Sequence, residues 1–371
     1  MTTAEANEVT LMAVGDVGPI HEPMDQYGVL AKPILNTADL RFGQCERVYS
    51  ERGYMQVHSG GAHSRVKPEL ASIFTDLNLD IVSLASNHAM DWGEEAMLDT
   101  KALLEKQGIV VIGAGYNIDE ARRPAIIERK GVKIGFLAYC SVLREGYPAG
   151  PHKAGVAPLR ANTYYEPREY QAGTPPKVVT VPLKEDLDAM VADITALKAQ
   201  VDSVVVSIHW GIHFVPKMVA DYQVTAAKAA FDAGADLILG HHAHVPKAIG
   251  VFDGKACFFS LSNFVMSAPE ASPARRAQFE EHYSVPLDPN YPNLPYGTHA
   301  PRSMVAKAVF AKGGVKQVSF LPTLIDTKLR PEILTNGDAR FDDAVQYMEW
   351  ASDQYPHRFT VEGDEVVIGA P

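Results

Sequence analysis

The sequence predicts an α/β protein in which β-sheets are sandwiched between helical layers. Two observations carry this expectation. Short apolar runs alternate with segments of helical periodicity in both halves of the 371 residues. Paired runs joined by hairpin signals then follow each half. The hydrophobic fraction of 46% is ordinary for a globular chain. The length suffices for one large α/β domain or two ordinary ones.

Val9 to Val14 reads as a buried strand, ended by Gly15-Asp16-Val17-Gly18-Pro19. Pro68 to Leu77 reads as a helix and Asp80 to Ala85 as a short buried strand. Glu94 to Gln107 has helical periodicity, and Gly108 stops it. Ile109 to Ile112 is another apolar run. Ala125 to Glu128 and Val132 to Tyr139 flank Lys130-Gly131 as a hairpin. The pattern then repeats. Leu183 to Gln200 is an amphipathic helix, Ser203 to Ile208 a strand, Gln223 to Ala233 a helix and Leu237 to Leu239 a strand. Lys247 to Phe259 turns at Asp253-Gly254, and Met304 to Phe320 at Gly313-Gly314. A helix from Phe341 to Trp350 and a hairpin from Phe359 to Ile368 close the chain. Two stretches, 143–176 and 268–303, are rich in proline, tyrosine and arginine with little periodicity. Irregular segments of that length are usually functional or disordered.

Composition excludes several classes of function. The formal net charge is -11, and no Lys/Arg cluster supplies the basic patch of a nucleic-acid binder. No run of apolar residues is long enough to span a bilayer, so membrane insertion is not expected. The segment Met1 to Val9 is polar and acidic and lacks the features of a secretory signal, so a cytoplasmic location is expected. Cys45, Cys140 and Cys257 are odd in number and far apart, which points to free thiols rather than a disulfide framework.

Chemistry collects in four polar clusters, each just after an apolar strand candidate: Gly15-Asp16, Ser86-Asn87-His88, His209-Trp210-Gly211 and Gly240-His241-His242-Ala243-His244. Ligands in open α/β sheets bind beyond the carboxyl ends of strands. Divalent metals accept carboxylate, amide oxygen and imidazole together. Four strands delivering Asp, Asn and His to one edge is therefore the pattern of a metal centre. Two other residues invite a functional reading. His213 is read as a pocket-wall or surface residue, with a fifth ligand as the alternative, and Cys45 as a small buried thiol rather than a nucleophile. His58 and His63, in a probable loop, are either solvated residues or substrate contacts.

At these residues the chain resembles the CapA family of poly-γ-glutamate capsule-synthesis proteins. Ser83-Leu84-Ala85-Ser86-Asn87-His88-Ala89-Met90-Asp91-Trp92-Gly93 is similar to its central motif. His209-Trp210-Gly211 and Gly240 to His244 follow in the family's order. Ser260-Leu261-Ser262-Asn263-Phe264 resembles its Ser-Leu-Gly-Asn-Phe, and Glu46 stands where its Asn-Leu-Glu motif ends.

That resemblance implies a calcineurin-like metallophosphoesterase fold, a four-layer α/β/β/α sandwich of two mixed sheets. The chain 1–371 is then one domain, with insertions at 143–176 and 268–303 and a less distinctive extension at 325–371. It also implies a centre of one or two divalent ions (Mn, Zn, Fe or Co) held by Asp16, Glu46, Asn87, His209, His242 and His244. His88 becomes the catalytic histidine, oriented by Asp91, and Arg144, Asn263 and His241 contact substrate or support the ligands. The superfamily's Asp-x-His is Asp16-Val17-Gly18 here, which leaves one imidazole to be supplied by His21, His241 or water. The expected function is a metal-dependent hydrolase that uses a metal-activated water on an anionic small-molecule or oligomeric substrate. The bond is left open between a phosphoester, a γ-glutamyl amide and an ester or lactone. The alternative is a non-catalytic, metal-stabilised component of a poly-γ-glutamate or exopolymer biosynthesis complex. The arginines and tyrosines of the irregular stretches, among them Arg144, Tyr147, Arg160, Arg275, Arg276, Tyr296 and Arg302, are candidates for an anion-binding rim.

Overall fold

The Val9–Gly18 strand is buried at every position but Thr10, as expected of a strand covered on both faces. The computed structural model describes residues 7–57, 59 and 61–371. His58 and the first six residues, part of the N-terminal segment read above, lie outside them. Val9–Gly18 is central in a ten-stranded mixed sheet. On one side it pairs in parallel with Leu40–Cys45, followed by Ile81–Ser83 and Val110–Ile112, also parallel. On the other side its first half pairs antiparallel with Arg302–Ala311. Its last residues leave that partner and run parallel to Asn263–Met266, with Asp16 opposite Asn263. The expected hairpins continue the sheet as Arg302–Ala311 with Gly314–Ile325, and Arg358–Glu362 with Glu365–Gly369.

A second, six-stranded sheet has the order Ile249–Phe252, Lys255–Phe258, Leu237–His241, Ser203–His209, Val132–Cys140, Ala125–Arg129. Its four inner strands are parallel and its edges antiparallel. The turn at Asp253 and Gly254 has positive φ at both residues (49° and 77°), as a tight two-residue hairpin requires. One apolar cluster contains side chains from both large sheets, and Phe42 of the first stacks on Phe136 of the second at 6.4 Å. A second cluster joins Val204, Val206 and Ile208 to Met190, Ile194, Ala226 and Ala230. It seats the helices Lys184–Lys198 and Asp221–Asp232 on the six-stranded sheet.

The fold is thus mixed α/β with several sheets, as the alternation predicts. Three local expectations need correcting. Leu40–Cys45 is a strand that the sequence reading passed over, because Arg41, Gly43 and Gln44 interrupt its apolar run. The stretch 143–176 is not irregular throughout, because Ala161–Glu166 pairs with Lys177–Pro182. Asn162–Glu166 is exposed at every position, so no buried face imposed a period of two. The stretch 268–303 contains a helix, Pro273–Tyr283, capped by the Ser272 hydroxyl. Phe279 is its only fully buried residue, too little for an amphipathic signal. Among the described residues no helix is long and apolar enough to cross a membrane.

Candidate metal centre

The carboxyl ends of five parallel strands, drawn from both large sheets, meet at one place. Asp16 lies two residues before the end of its strand, Glu46 follows Cys45, Asn87 lies in the loop after Ser83, and His209 and His241 are the last residues of adjacent strands. All five are buried. Gly15 and Gly240 permit the approach, since a Cβ at Gly15 would meet the Ser262 carbonyl oxygen at 2.0 Å and one at Gly240 the Phe259 carbonyl oxygen at 2.4 Å. His242 and His244 occupy the turn beyond and have φ of 92° and 57°. Residues with side chains adopt that region rarely, and often at functional sites.

Four ligand-type atoms converge in one group. Asn87 Oδ1 lies 2.7 Å from His209 Nε2 and 3.2 Å from His242 Nδ1. The two imidazole nitrogens are 3.1 Å apart, and Glu46 Oε2 is 3.5 Å from His209 Nε2. Atoms bound about 2.0–2.2 Å from a common ion have separations of this size. Ser86 Oγ donates to the same Glu46 oxygen at 2.9 Å and fixes it.

A second group adjoins it. One ligand atom each from Asp16, Glu46 and His244 lies within 4.8 Å of the others. Asp16 Oδ2 is 3.6 Å from His244 Nδ1, and Asp16 Oδ1 is 3.6 Å from His241 Nδ1. Asn263 Nδ2 donates to the His244 and Ala300 carbonyl oxygens. Its Oδ1 is thereby aimed inward, 2.7 Å from His244 Nδ1. His21 does not join this group. It is exposed and pairs with Asn293 at 3.4 Å, so His241 is the extra imidazole that faces Asp16.

Beside these groups sits a relay. His88 Nδ1 is 2.7 Å from Asp91 Oδ2. The other Asp91 oxygen accepts from Tyr147 Oη at 2.7 Å and Arg144 Nη1 at 3.1 Å. A carboxylate accepts only, so His88 Nδ1 carries the proton and Nε2 is left as the basic nitrogen.

The donor set suits a divalent cation. Both Asp16 oxygens, Glu46 Oε1, His209 Nδ1 and both His241 nitrogens are buried without hydrogen-bond partners among the described residues. Such atoms are costly unless something compensates them. Glu46 is pushed well above the usual carboxylate range, first by burial and then by the Asp16 charge. Burial, followed by neighbouring histidines, pushes His209 and His242 well below the usual imidazole range, and His244 is also lowered, chiefly by burial. Neutral imidazoles facing two crowded acidic side chains are ligands in their binding state.

The comparisons with known proteins bear on the same residues. The family model described as "Bacterial capsule synthesis protein PGA_cap" matches residues 10–268. The chain belongs to the PGA_cap family. This family member is 31% identical over 236 residues to the PGA biosynthesis protein CapA of Bacillus subtilis, covering 63% of this chain and 55% of that protein. It is 26% identical over 271 residues to the capsule biosynthesis protein CapA of Bacillus anthracis, covering 70% and 60%. The chain therefore spans a little over half the length of these curated relatives. In structure it is similar to the calcineurin-like phosphoesterase YfkN of Bacillus subtilis, with a TM-score of 0.37 at 14% identity, covering 93% of this chain and 99% of that one.

In this PGA_cap family member the side chains of Asp16, Glu46, Asn87, His88, Asp91, Arg144, His209, His241, His242, His244 and Asn263 are brought together by these contacts, and His21 is not. His213 is half-buried, with its ring 3.8 Å from that of His242. The three thiols are free and buried, and burial pushes Cys45 up to about 12, which suits a packing residue. Three rim candidates are engaged elsewhere, since Arg160 pairs with Asp186, Arg276 with Glu270 and Arg302 with Asp343. Two contributors escaped the sequence reading. Arg47 is buried and donates to the carbonyl oxygens of Gly18, His63 and Ser267; its signal was a charge directly after Glu46. Phe214 stacks over His244 at 5.7 Å and left no signal in the sequence.

Proposed function

We propose that the chain is a metal-dependent hydrolase of an anionic small-molecule or oligomeric substrate, built on the four-layer metallophosphoesterase sandwich. The observation that carries the reading is the convergence of Glu46, Asn87, His209 and His242 within 3.5 Å contacts beside Asp16 and His244. Glu46, Asn87, His209 and His242 would hold one ion, and Asp16, Glu46 and His244 a second, with His241 or Asn263 completing that shell. A divalent ion bound there supplies Lewis acidity, polarising the substrate and lowering the pKa of water.

The chain's own residues do the rest. Asp91 keeps His88 in the Nδ1–H tautomer and in one orientation. His88 Nε2 then holds or passes a proton at the edge of the site, as a general acid–base group. Arg144 and Tyr147 hold Asp91 from behind. Mn, Zn, Fe and Co all suit this mixed nitrogen and oxygen set. The bond is a phosphoester, a γ-glutamyl amide, or an ester or lactone, and the reaction takes place in the cytoplasm. A second reading, a non-catalytic component of polymer assembly, draws on the names of the relatives, whose length this chain spans only in part. The His88–Asp91 relay speaks for catalysis, because a purely structural metal site has no use for it. The test is metal analysis of the purified protein with turnover of a phosphoester, γ-glutamyl and lactone panel. Metal retained and hydrolysis lost in His88→Ala supports the hydrolase. No turnover by any Mn-, Zn- or Fe-loaded preparation overturns it.

A further inference from the structure

The aromatic wall beside His244 does not stop at the metal centre. Tyr296 stacks nearly flat on the His244 ring, 4.2 Å away at 7°. Phe214 stacks on Tyr296 at 5.7 Å and 4°. Phe279 and Tyr283 of the Pro273–Tyr283 helix close on Phe214 at 5.0 and 4.9 Å. Tyr296 is placed by the turn behind it: Gly297 has φ of 96°, and a Cβ there would meet Val285 Cγ1 at 2.8 Å. Beside these rings opens a cavity of about 380 Å³, lined by His63, Arg275 and Leu287 as well as Phe214, Tyr283 and Tyr296.

Three features of this cavity speak to what enters it. Its apolar lining exceeds what a polar polymer calls for, since pockets of this kind fix orientation with a few polar groups and gain affinity from buried apolar surface. Its walls are continuous with the centre, because Phe214 and Tyr296 line it and also stack on His244. Its cation is uncommitted: among the described residues Arg275 forms no ion pair with a carboxylate, its guanidinium meets the Gln278 amide oxygen at 3.5 Å, and Glu270, the carboxylate in the lining, is paired with Arg276 at 3.6 Å.

We infer that this cavity is the substrate's recognition pocket, and that the substrate carries a flat, ring-sized apolar group next to the negative charge of its hydrolysable bond. The ring lies against Tyr296 and Phe214, the scissile group reaches the metal centre, and Arg275 meets a peripheral negative charge. A uniform γ-glutamyl chain has no such ring, so the pocket selects a small aryl-bearing ester, amide or phosphoester. This specificity rests on the hydrolase reading, and its test reads binding instead of turnover.

The probes are phenylphosphonate and methylphosphonate, which share one anionic head and resist hydrolysis. Their affinities for the Mn-loaded full chain are measured by calorimetry. Phenylphosphonate is expected to bind tighter by on the order of tenfold or more, from burial of the ring. Leu287→Trp fills the cavity and Phe279→Ala removes a wall. Both are expected to bring the two affinities together while methylphosphonate binding stays within about twofold, with thermal unfolding as the control for folding. Equal affinities in the wild type, or a phenyl preference that survives Leu287→Trp, overturn the pocket and leave the hydrolase reading standing. A phenyl preference without turnover of any substrate panel sustains the pocket and overturns the hydrolase instead.

Discussion

Asp91 grips His88 with one carboxylate oxygen and is itself gripped through the other, by Tyr147 and Arg144. The histidine is therefore held by a carboxyl group that cannot swing away, and both holders come from a stretch with no helical or strand signal. His88→Ala is expected to lower hydrolysis by about 10²–10⁴-fold, the usual worth of a positioned acid–base group, without changing bound metal. Tyr147→Phe, which keeps the ring and loses one hydrogen bond, is expected to reduce kcat by less than His88→Ala and to leave KM near its starting value. Equal losses in the two variants would sink the relay.

Glu46 touches both ligand groups, so its removal is expected to empty both. Metal content of Glu46→Gln and His209→Ala should fall below half of wild type after gel filtration, whereas His88→Ala keeps its metal. Burial and the Asp16 charge hold Glu46 protonated above the usual carboxylate range, so metal uptake at mildly acidic pH should release its proton. Calorimetry in buffers of different ionisation enthalpy measures this release. A wild-type titration with no proton release is the contrary result.

The metal-free protein is expected to lose stability on acidification. His209, His213 and His242 have folded-state values well below 6.5. The unfolded chain therefore binds more protons as pH falls below 6.5, and stability drops in that direction. Glu46 acts oppositely, since its raised value costs stability as pH climbs above the usual carboxylate range. The lowered histidines, His244 and His63 among them, outnumber the one raised glutamate and set the sign. Melting of chelator-treated protein between pH 7.5 and 5.5 checks this, and a melting temperature that is flat or rises toward pH 5.5 contradicts it.

Gly15→Ala tests the approach of the strands that aligns Asp16 with Asn263. The added Cβ would lie 2.0 Å from the Ser262 carbonyl oxygen, and backbone has to move. A cost of about 1–3 kcal/mol is expected, as for other overpacked sites, together with weaker metal retention because Asp16 shifts from Asn263. Chemical denaturation and metal analysis read the two effects. Unchanged values in both would show that the register tolerates the methyl group.

Much of the site was legible because its residues sit next to strong strand signals. Asp16, His209 and His241 each end an apolar run, and a buried run that stops at a polar residue marks a strand end in any context. Leu40–Cys45 was harder to see, because Gln44 is buried by donating its amide to the Cys45 and Ala85 carbonyl oxygens. A local pattern cannot anticipate a partner 41 residues away. The Ala161–Glu166 hairpin strand and the Pro273–Tyr283 helix were missed for the opposite reason: they bury too little to leave a period.

The sequence by itself determined the alternation of elements, the strand-end clusters and the family, since these depend on residue type and short spacing. Only the tertiary structure decided three further points. It turned His241 rather than His21 toward Asp16, aimed Asn263 Oδ1 at His244, and put Arg144 and Tyr147 on Asp91, the carboxylate that holds His88. These contacts join segments from different sheets and from stretches without periodicity. Their partners are chosen by the packing of one sheet against the other, which no window along the chain contains.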